Sequence, residues 1–230
     1  MTKIICKYLV FMLYYWQGTW KRGINMKENY AKKLEEIINS LDNKPKLLLH
    51  SCCGPCSSYV ISYLRDYFDI TVLYYNPNIF PYEEYVKRKE EQKRLLREMT
   101  NDTVKLLDCD YDNDKYEEVI QGLEKEPERG KRCTKCFLLR LEKTAIVGKD
   151  EGFDFFGTTL TVSPYKNAQL INRIGEKLAN DYDIRWLYGD FKKNDGYKKS
   201  IELSKKYDLY RQNYCGCIYA KNNEKNKTMN

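Results

Sequence analysis

At 230 residues and a net charge of +7, the chain is long enough for one good-sized domain and carries a modest basic excess that favours an anionic partner. Domains cluster near ~100–150 residues and single domains commonly exceed that length, so we expect one domain. The nine cysteines exclude complete disulfide pairing within the chain, because their number is odd. The predicted succession of strands and helices also differs from short, loop-rich secreted scaffolds held by disulfides, which favours a reducing compartment.

The first residues include an apolar stretch, Tyr8 to Trp16, that resembles the core of a signal peptide. The residues after it lack a small-x-small cleavage pattern, and nine residues fall far short of the ~20 that span a bilayer. We therefore expect no membrane partner and a cytoplasmic protein. Residues 1–25 share no pattern with the rest of the chain and are interpreted as an N-terminal extension, or as sequence outside the native fold if Met26 is the true start. A single domain is expected over 26–220, with a disordered tail over 221–230.

The rest of the chain alternates between strand and helix patterns. A leading helix is predicted over Lys27–Leu41 from its one apolar face. Short apolar runs predict five strands: Lys46–His50, Ile70–Tyr75, Val104–Asp108, Phe153–Thr158 and Ile184–Tyr188. Helical stretches lie between them and after the last: Cys56–Tyr67, Tyr82–Met99, a run from Tyr116 through Arg132–Val147, Lys166–Tyr182 and Lys199–Tyr207. This alternation predicts an α/β fold of the Rossmann-like, three-layer type, with a mostly parallel sheet flanked by helices and sites at its carboxyl edge.

The first cysteine group, Cys52-Cys53-x-x-Cys56, directly follows the first predicted strand and enters a helix. It is therefore expected at the carboxyl edge of the sheet. Thiolates near the positive end of a helix have a lowered pKa, which favours metal ligation or redox reactivity. The neighbouring His50, the only histidine, is interpreted either as a proton donor or as a satisfied buried residue.

The second group, Cys133-x-x-Cys136, is a pattern that chelates a metal or acts as a thioredoxin-like redox pair. Together with the first group it supplies four thiolates, which suits either tetrahedral zinc or a 4Fe-4S cluster. Adjacent cysteines bind different corners of a cube more naturally than one zinc centre, so we favour an iron–sulfur site.

The third group is Cys215-Gly216-Cys217, in which the glycine lets the backbone bring both sulfurs together. A disulfide across so small a ring is strained, and strain raises its reduction potential. The pair is therefore predicted to carry electrons, with a further pair of metal ligands as the alternative.

Two polar features complete the pattern. A hydroxyl-rich turn comes after the fourth strand, and its side chains can bind phosphate, ribose or a polar ring, or can form an ordinary helix cap; the candidates are Thr158, Thr159, Ser163, Lys166 and Asn167.

The stretch from Lys192 to Asn230 contains ten basic and four acidic residues. Such a stretch suits a phosphate backbone or forms a solvated face.

These motifs, in this order, resemble the cobalamin-independent epoxyqueuosine reductases of the QueH family over about residues 45–220; the matching stretches are His50-Ser51-Cys52-Cys53-Gly54-Pro55-Cys56, Arg132-Cys133-x-x-Cys136, Thr158-Thr159-Leu160-x-x-Ser163-Pro164-x-Lys166-Asn167 and Tyr214-Cys215-Gly216-Cys217. That family reduces the epoxide of epoxyqueuosine at the wobble position of tRNA, the last step of queuosine biosynthesis, with a 4Fe-4S cluster on an α/β fold. The resemblance implies the cluster ligands Cys52, Cys53, Cys133 and Cys136 and the redox-active pair Cys215 and Cys217. In some relatives an aspartate at the Cys56 position helps to hold an additional iron, which leaves Cys56 as an auxiliary metal ligand or a bystander.

The implied reaction takes two electrons and two protons and releases the oxygen as water, which matches a dithiol re-reduced by an unidentified electron donor. We expect the hydroxyl-rich turn to bind the nucleoside and the basic C-terminal stretch to contact tRNA. One alternative is a tRNA-binding module, stabilised by zinc or an iron–sulfur cluster, without a redox reaction of its own. An ATP-dependent tRNA thiolase is disfavoured, because its Ser-Gly-Gly-x-Asp-Ser-like phosphate loop is replaced here by the cysteines of the 51–56 segment.

Overall fold

The computed structural model describes residues 28–221, so the predictions for residues 1–25 and for nearly all of the tail fall outside the described residues. Helices and strands alternate along this part of the chain. In order, they are α1 Tyr30–Asn39, β1 Lys46–His50, α2 Gly54–Leu64, β2 Asp69–Tyr74, α3 Tyr82–Thr100, β3 Lys105–Asp108, α4 Asn113–Ile120, α5 Lys131–Asp150, β4 Phe155–Thr158, a short 3-10 helix Leu160–Val162, α6 Ala168–Tyr182, β5 Arg185–Trp186 and α7 Gly196–Lys206.

The strands form one parallel sheet in the order β3-β2-β1-β4-β5, which confirms the predicted fold class. The central strand β1 pairs with β2 on one side and with β4 on the other. Its residues Leu47, Leu48 and Leu49 are fully buried. A parallel strand covered on both faces has a continuous apolar run, which is why β1 could be recognised from the sequence.

Helices cover both faces of the sheet and complete three layers. One face packs against α1, α2, α3 and α7 through a cluster that includes Leu34, Leu64, Leu96 and Phe191. The other face packs against α5 and α6 through a cluster that includes Leu141 and Ile171. Within residues 28–221, no helix combines the length and the apolar character that crossing a membrane requires.

The helical run predicted from Tyr116 to Val147 proves to be two helices, α4 and α5, joined by the segment 121–130. Helix α4 ends at Ile120 because Gln121 adopts an extended ψ of 130° and Gly122 a φ of 79°. Helix α5 then begins after Gly130, whose φ and ψ are also extended. The break places Cys133 in the first turn of a helix rather than in the middle of one.

Candidate functional site

The first cysteine group lies at the carboxyl end of β1, where the chain turns directly into α2. Cys53 is the N-cap residue with an extended backbone, and Cys56 lies in the first turn of the helix. The three sulfurs of Cys52, Cys53 and Cys56 lie within 4.8 Å of one another, and Cys52 Sγ is 3.8 Å from Cys53 Sγ. The strand-to-helix turn therefore gathers three thiols at one point of the sheet edge.

Hydrogen bonds within this group shift the pKa values of Cys53 and Cys56 in opposite directions. Cys52 and Cys56 donate to the sulfur of Cys53, and these bonds hold the pKa of Cys53 well below its usual range. Hydrogen bonds from Cys56 to Cys52 and to Cys53 raise the pKa of Cys56 well above its usual range. Cys53 is thus the thiol of this group that ionises first.

The second cysteine group lies in the first two turns of α5. The backbone N–H of Arg129 donates to Cys133 Sγ at 3.3 Å. Cys136 is 7% exposed, and burial raises its pKa to about 12. Burial also raises the pKa of Cys133. Such buried thiols bind a metal with loss of a proton, since only the thiolate is a good ligand.

The third group forms a tight loop beside the second. Gly216 adopts a φ of 132°, a conformation that L side chains rarely adopt, and its carbonyl accepts from Phe80 N–H at 2.9 Å. Cys217 belongs to the same buried cluster as Cys136 and Tyr116. None of the eight cysteines that the structure describes forms a disulfide.

All three groups open onto one cavity of about 450 Å³. The cysteines that line it are Cys52, Cys56, Cys133, Cys136, Cys215 and Cys217. Cys53 lies behind the lining and is 1% exposed. The volume is in the ~300–1,000 Å³ range of small-molecule sites. Cys109 lies away from this cavity, packed against Leu48 and Leu73, and Cys6 falls outside the described residues.

Some residues of the hydroxyl-rich turn line the cavity, and others are buried in the protein interior. Ser163, Lys166 and Asn167 line the cavity, although the Asn167 side chain also accepts from Leu170 N–H as the cap of α6. Burial opposes the charge on Lys166, but the cysteines Cys215, Cys52 and Cys56 outweigh it and raise the Lys166 pKa. Thr158 and Thr159 are buried behind the turn, outside the cavity lining.

His50 is fully buried and both of its ring nitrogens have partners. Nδ1 lies 3.0 Å from Thr158 Oγ1, and Nε2 lies 3.2 Å from the carbonyl oxygen of Tyr75. A proton on Nε2 lets that nitrogen donate to the carbonyl while Nδ1 accepts from the threonine. Burial lowers the pKa of His50 to about 3. Of the two interpretations of His50, the structure supports the satisfied buried residue.

Three buried arginines near the cysteines were not assigned a role from the sequence: Arg88, Arg132 and Arg140. Arg132 Nη1 donates to the carbonyl oxygens of Leu123 and Glu124, which holds the segment before α5. Arg132, Cys136 and Arg140 recur at intervals of four and so share one face of α5. That spacing is the signal in the sequence that could have associated Arg132 and Arg140 with Cys136.

The basic residues expected to contact phosphates lie on and before α7. Lys192 pairs with Asp190, whereas Lys193, Lys198 and Lys199 are exposed. Lys193 and Lys199 border a second cavity of about 630 Å³, between α1, α2 and α7. Tyr197 and Ser200, on another face of α7, line the cysteine cavity. Helix α7 therefore separates the two cavities.

Comparison with known proteins gives a consistent result. A family model described as "Epoxyqueuosine reductase QueH" matches residues 47–223. A protein of that name from Staphylococcus epidermidis is 44% identical over 204 residues, covering 85% of this chain and 86% of the relative. Another from Streptococcus pyogenes is 43% identical, covering 85% and 79%. A more distant one from Thermotoga maritima is 33% identical, covering 76% and 89%.

Proposed function

This chain belongs to the epoxyqueuosine reductase QueH family, and we propose that its three cysteine groups act together on one substrate in the cysteine cavity. The chain is an oxidoreductase of queuosine biosynthesis that reduces epoxyqueuosine to queuosine, and this activity implies a tRNA substrate. The observation that carries the proposal is the convergence of six cysteines, from three separate segments, on one cavity.

The residues fit an iron–sulfur cluster. Cys52, Cys53, Cys133 and Cys136 supply the four thiolates of a 4Fe-4S site, and thiolate is the soft ligand that such clusters take. Both pairs lie at the N-terminal ends of helices, where the helix dipole stabilises negative charge. When bound, the cluster would supply electron transfer and an iron that can polarise the epoxide oxygen.

Cys56 is the candidate ligand for an additional iron. Cys56 Sγ lies within 4.8 Å of the sulfurs of both Cys52 and Cys53, which are assigned to the cluster. This spacing supports a role for Cys56 at the metal site over a role in packing.

The two-electron step is assigned to Cys215 and Cys217. Two thiols that join in a disulfide release two electrons and two protons. The epoxide takes up both, its two C–O bonds break, the oxygen leaves as water and an alkene remains. The chain itself supplies both protons in this balance, so His50 is not needed as a donor. An electron donor outside the chain then returns the disulfide to the dithiol.

The substrate contacts are assigned to the residues of the hydroxyl-rich turn that line the cysteine cavity. Lys166 and Ser163 offer a cation and a hydroxyl for the ribose or cyclopentene hydroxyls of the nucleoside, and Asn167 offers its amide N–H groups. Thr158 and Thr159 support the turn from behind, since Thr158 accepts from Leu160 N–H at 3.2 Å. The exposed lysines on and before α7 are assigned to the tRNA phosphates.

The proposed reaction and the cluster are tested under anaerobic conditions. Reconstituted protein is analysed for iron, sulfide and visible absorption, then reduced and incubated with tRNA that carries epoxyqueuosine. We expect the nucleoside to lose the mass of one oxygen. Cys109→Ser, which changes a thiol outside the cavity, is the matched control and should convert the tRNA normally. A colourless protein with stoichiometric zinc would overturn the cluster assignment, and absence of conversion would overturn the proposed reaction.

A further inference from the structure

Arg140 is a buried cation without an acidic partner. Its side chain is 1% exposed, on the same helix α5 that carries Cys133 and Cys136. Within residues 28–221 no aspartate or glutamate forms an ion pair with it. Arginines are almost never fully buried unless they are paired, because removing a cation from water is costly. The fold therefore maintains Arg140 for an anionic partner other than a carboxylate.

The hydrogen bonds of Arg140 support the same conclusion. Nε donates to the carbonyl oxygen of Cys136 at 3.1 Å, which fixes the plane of the guanidinium. Nη2 is buried and has no hydrogen-bond partner among the residues that the structure describes. Since buried donors are normally paired, this nitrogen is available to an acceptor in the cavity that Arg140 lines.

The surroundings of Arg140 identify that acceptor. Arg140 lines the same cavity as cysteines of all three groups, among them Cys136, Cys215 and Cys52. Lys166, which lies just before α6, lines this cavity as well. Bound thiolates and sulfide would concentrate negative charge in this cavity, next to Arg140.

We propose that Arg140 is a positioning residue that neutralises the negative charge of the iron–sulfur site and donates a hydrogen bond to it from Nη2. The inference rests on the proposed function. Reduction adds negative charge to a cluster, and hydrogen bonds and nearby cations favour the reduced form. Arg140 therefore raises the reduction potential of the site and makes it easier to reduce.

A lysine could not fully replace this arginine. The planar guanidinium donates to the Cys136 carbonyl from one edge and leaves Nη2 directed elsewhere, whereas lysine carries one compact ammonium on a flexible stem. Arg140→Lys keeps the charge and loses the fixed geometry, and Arg140→Gln loses the charge. The two variants separate the electrostatic contribution from the hydrogen bond.

The first measurement is the cluster midpoint potential, by anaerobic redox titration of reconstituted protein. We expect Arg140→Gln to lower it by about a tenfold change in the reduction equilibrium, which is ~59 mV for one electron, and Arg140→Lys to lower it less. Arg94→Gln, a change to an arginine paired with Glu91 and Glu98 outside the cavity, should leave it unaltered. A potential unchanged in both Arg140 variants overturns the inference.

The second measurement uses metal-free full-length protein near pH 6, where an unperturbed thiol is largely protonated. If Arg140 serves the bound site, it is an uncompensated charge in the metal-free chain, and Arg140→Gln should keep or raise the melting temperature there. An arginine that only supports packing predicts a lower melting temperature with and without the cluster, and that result overturns the inference. If the wild type forms no cluster, the proposed function fails, and this second measurement still decides the role of Arg140.

Discussion

Arg88 of α3 holds the loop of Cys215 and Cys217 through the carbonyl oxygen of Cys215, to which its Nη1 donates at 3.3 Å. Nη2 donates to the carbonyl oxygen of Tyr214 at 3.4 Å, and Nε donates to Glu84 Oε1 at 2.7 Å. The side chain is 1% exposed, so these bonds are shielded from water. One guanidinium therefore ties the helix, a carboxylate and the loop together.

Arg88→Lys should lower turnover while the protein stays folded and coloured. Lysine cannot donate to both carbonyls and to Glu84 in this geometry, and hydrogen bonds to charged groups contribute ~1.5–3 kcal/mol each. Loss of one such bond predicts roughly a tenfold to hundredfold decrease in single-turnover rate. Arg97→Lys, an exposed change on the same helix, is the control. Equal rates for both variants would contradict the role of Arg88.

Gly216→Ala should abolish most turnover without removing the cluster. A Cβ at this position would lie 3.0 Å from Ile79 Cγ1 and 3.3 Å from Arg88 Nη1, on a residue whose φ is 132°. The loop must shift to accept it, which displaces both thiols. Gly122→Ala is a suitable control because its φ is 79° but nothing lies within 4 Å of the added Cβ. Visible absorption and conversion of tRNA, measured on the same samples, separate cluster content from turnover.

Single cysteine substitutions should distinguish the proposed cluster ligands from the proposed redox pair. We expect Cys133→Ala to lose the cluster, seen as loss of iron and visible absorption. Cys215→Ala should keep the cluster and lose conversion, because one thiol cannot supply two electrons by forming an intramolecular disulfide. Cys109→Ala should behave like the wild type. Retention of full iron content in Cys133→Ala would contradict the ligand assignment.

Glu91 should make stability depend on pH. It accepts from Arg94 and from Tyr210 N–H at 2.6 Å, and the Arg94 hydrogen bond lowers its pKa. A carboxyl with a lowered folded-state pKa stabilises above its unfolded pKa of ~4.3, and this contribution is lost as pH falls through the folded value. Glu91→Gln should therefore cost ~1–3 kcal/mol in urea unfolding at pH 7. The difference in unfolding free energy between Glu91→Gln and the wild type should shrink below pH 4. A difference that stays constant down to pH 3 would contradict the role of the Glu91 carboxylate.

The exposed lysines near α7 should contribute to tRNA binding. The double change Lys193→Ala with Lys198→Ala should weaken binding and reduce the slope of log affinity against log salt by ~1–2, as expected for one or two lost phosphate contacts. Lys46→Ala with Lys105→Ala removes the same charge from the beginnings of β1 and β3, at the opposite edge of the sheet. If both double variants show the same slope, the α7 lysines are not the contact.

Much of the fold could be predicted because β1 and its neighbours are short apolar runs with turns after them. The location of Cys52 and Cys53 at the carboxyl edge of the sheet could also be predicted, because both residues directly follow β1 and sites in parallel sheets form at that edge. The break between α4 and α5 was missed because the helical pattern on either side is strong, and the backbone angles at Gln121 and Gly122 that end α4 are set in the folded chain.

The buried cations were missed for a different reason. Arg88 and Arg140 look like ordinary surface residues of amphipathic helices, because composition does not reveal which face another segment covers. Their burial depends on the Cys215 loop and on the convergence of α5 with the sheet edge, both contacts between residues distant in sequence. The hydroxyl-rich turn shows the same limit, since only the folded backbone separates Ser163, which lines the cavity, from Thr159, which does not.

The segment after α7 contains no strand within the described residues and is held by contacts with α3, with Phe80 and with the buried cluster around Tyr116. Glu84 and Glu91 accept from Tyr210, and Arg88 lies between them and holds the Cys215 loop. Cys217 in turn packs into the buried cluster around Tyr116 of α4. Cys215 and Cys217 therefore take their position from three separate parts of the fold, so that a change in α3, in the Phe80 loop or in α4 is transmitted to the same short loop.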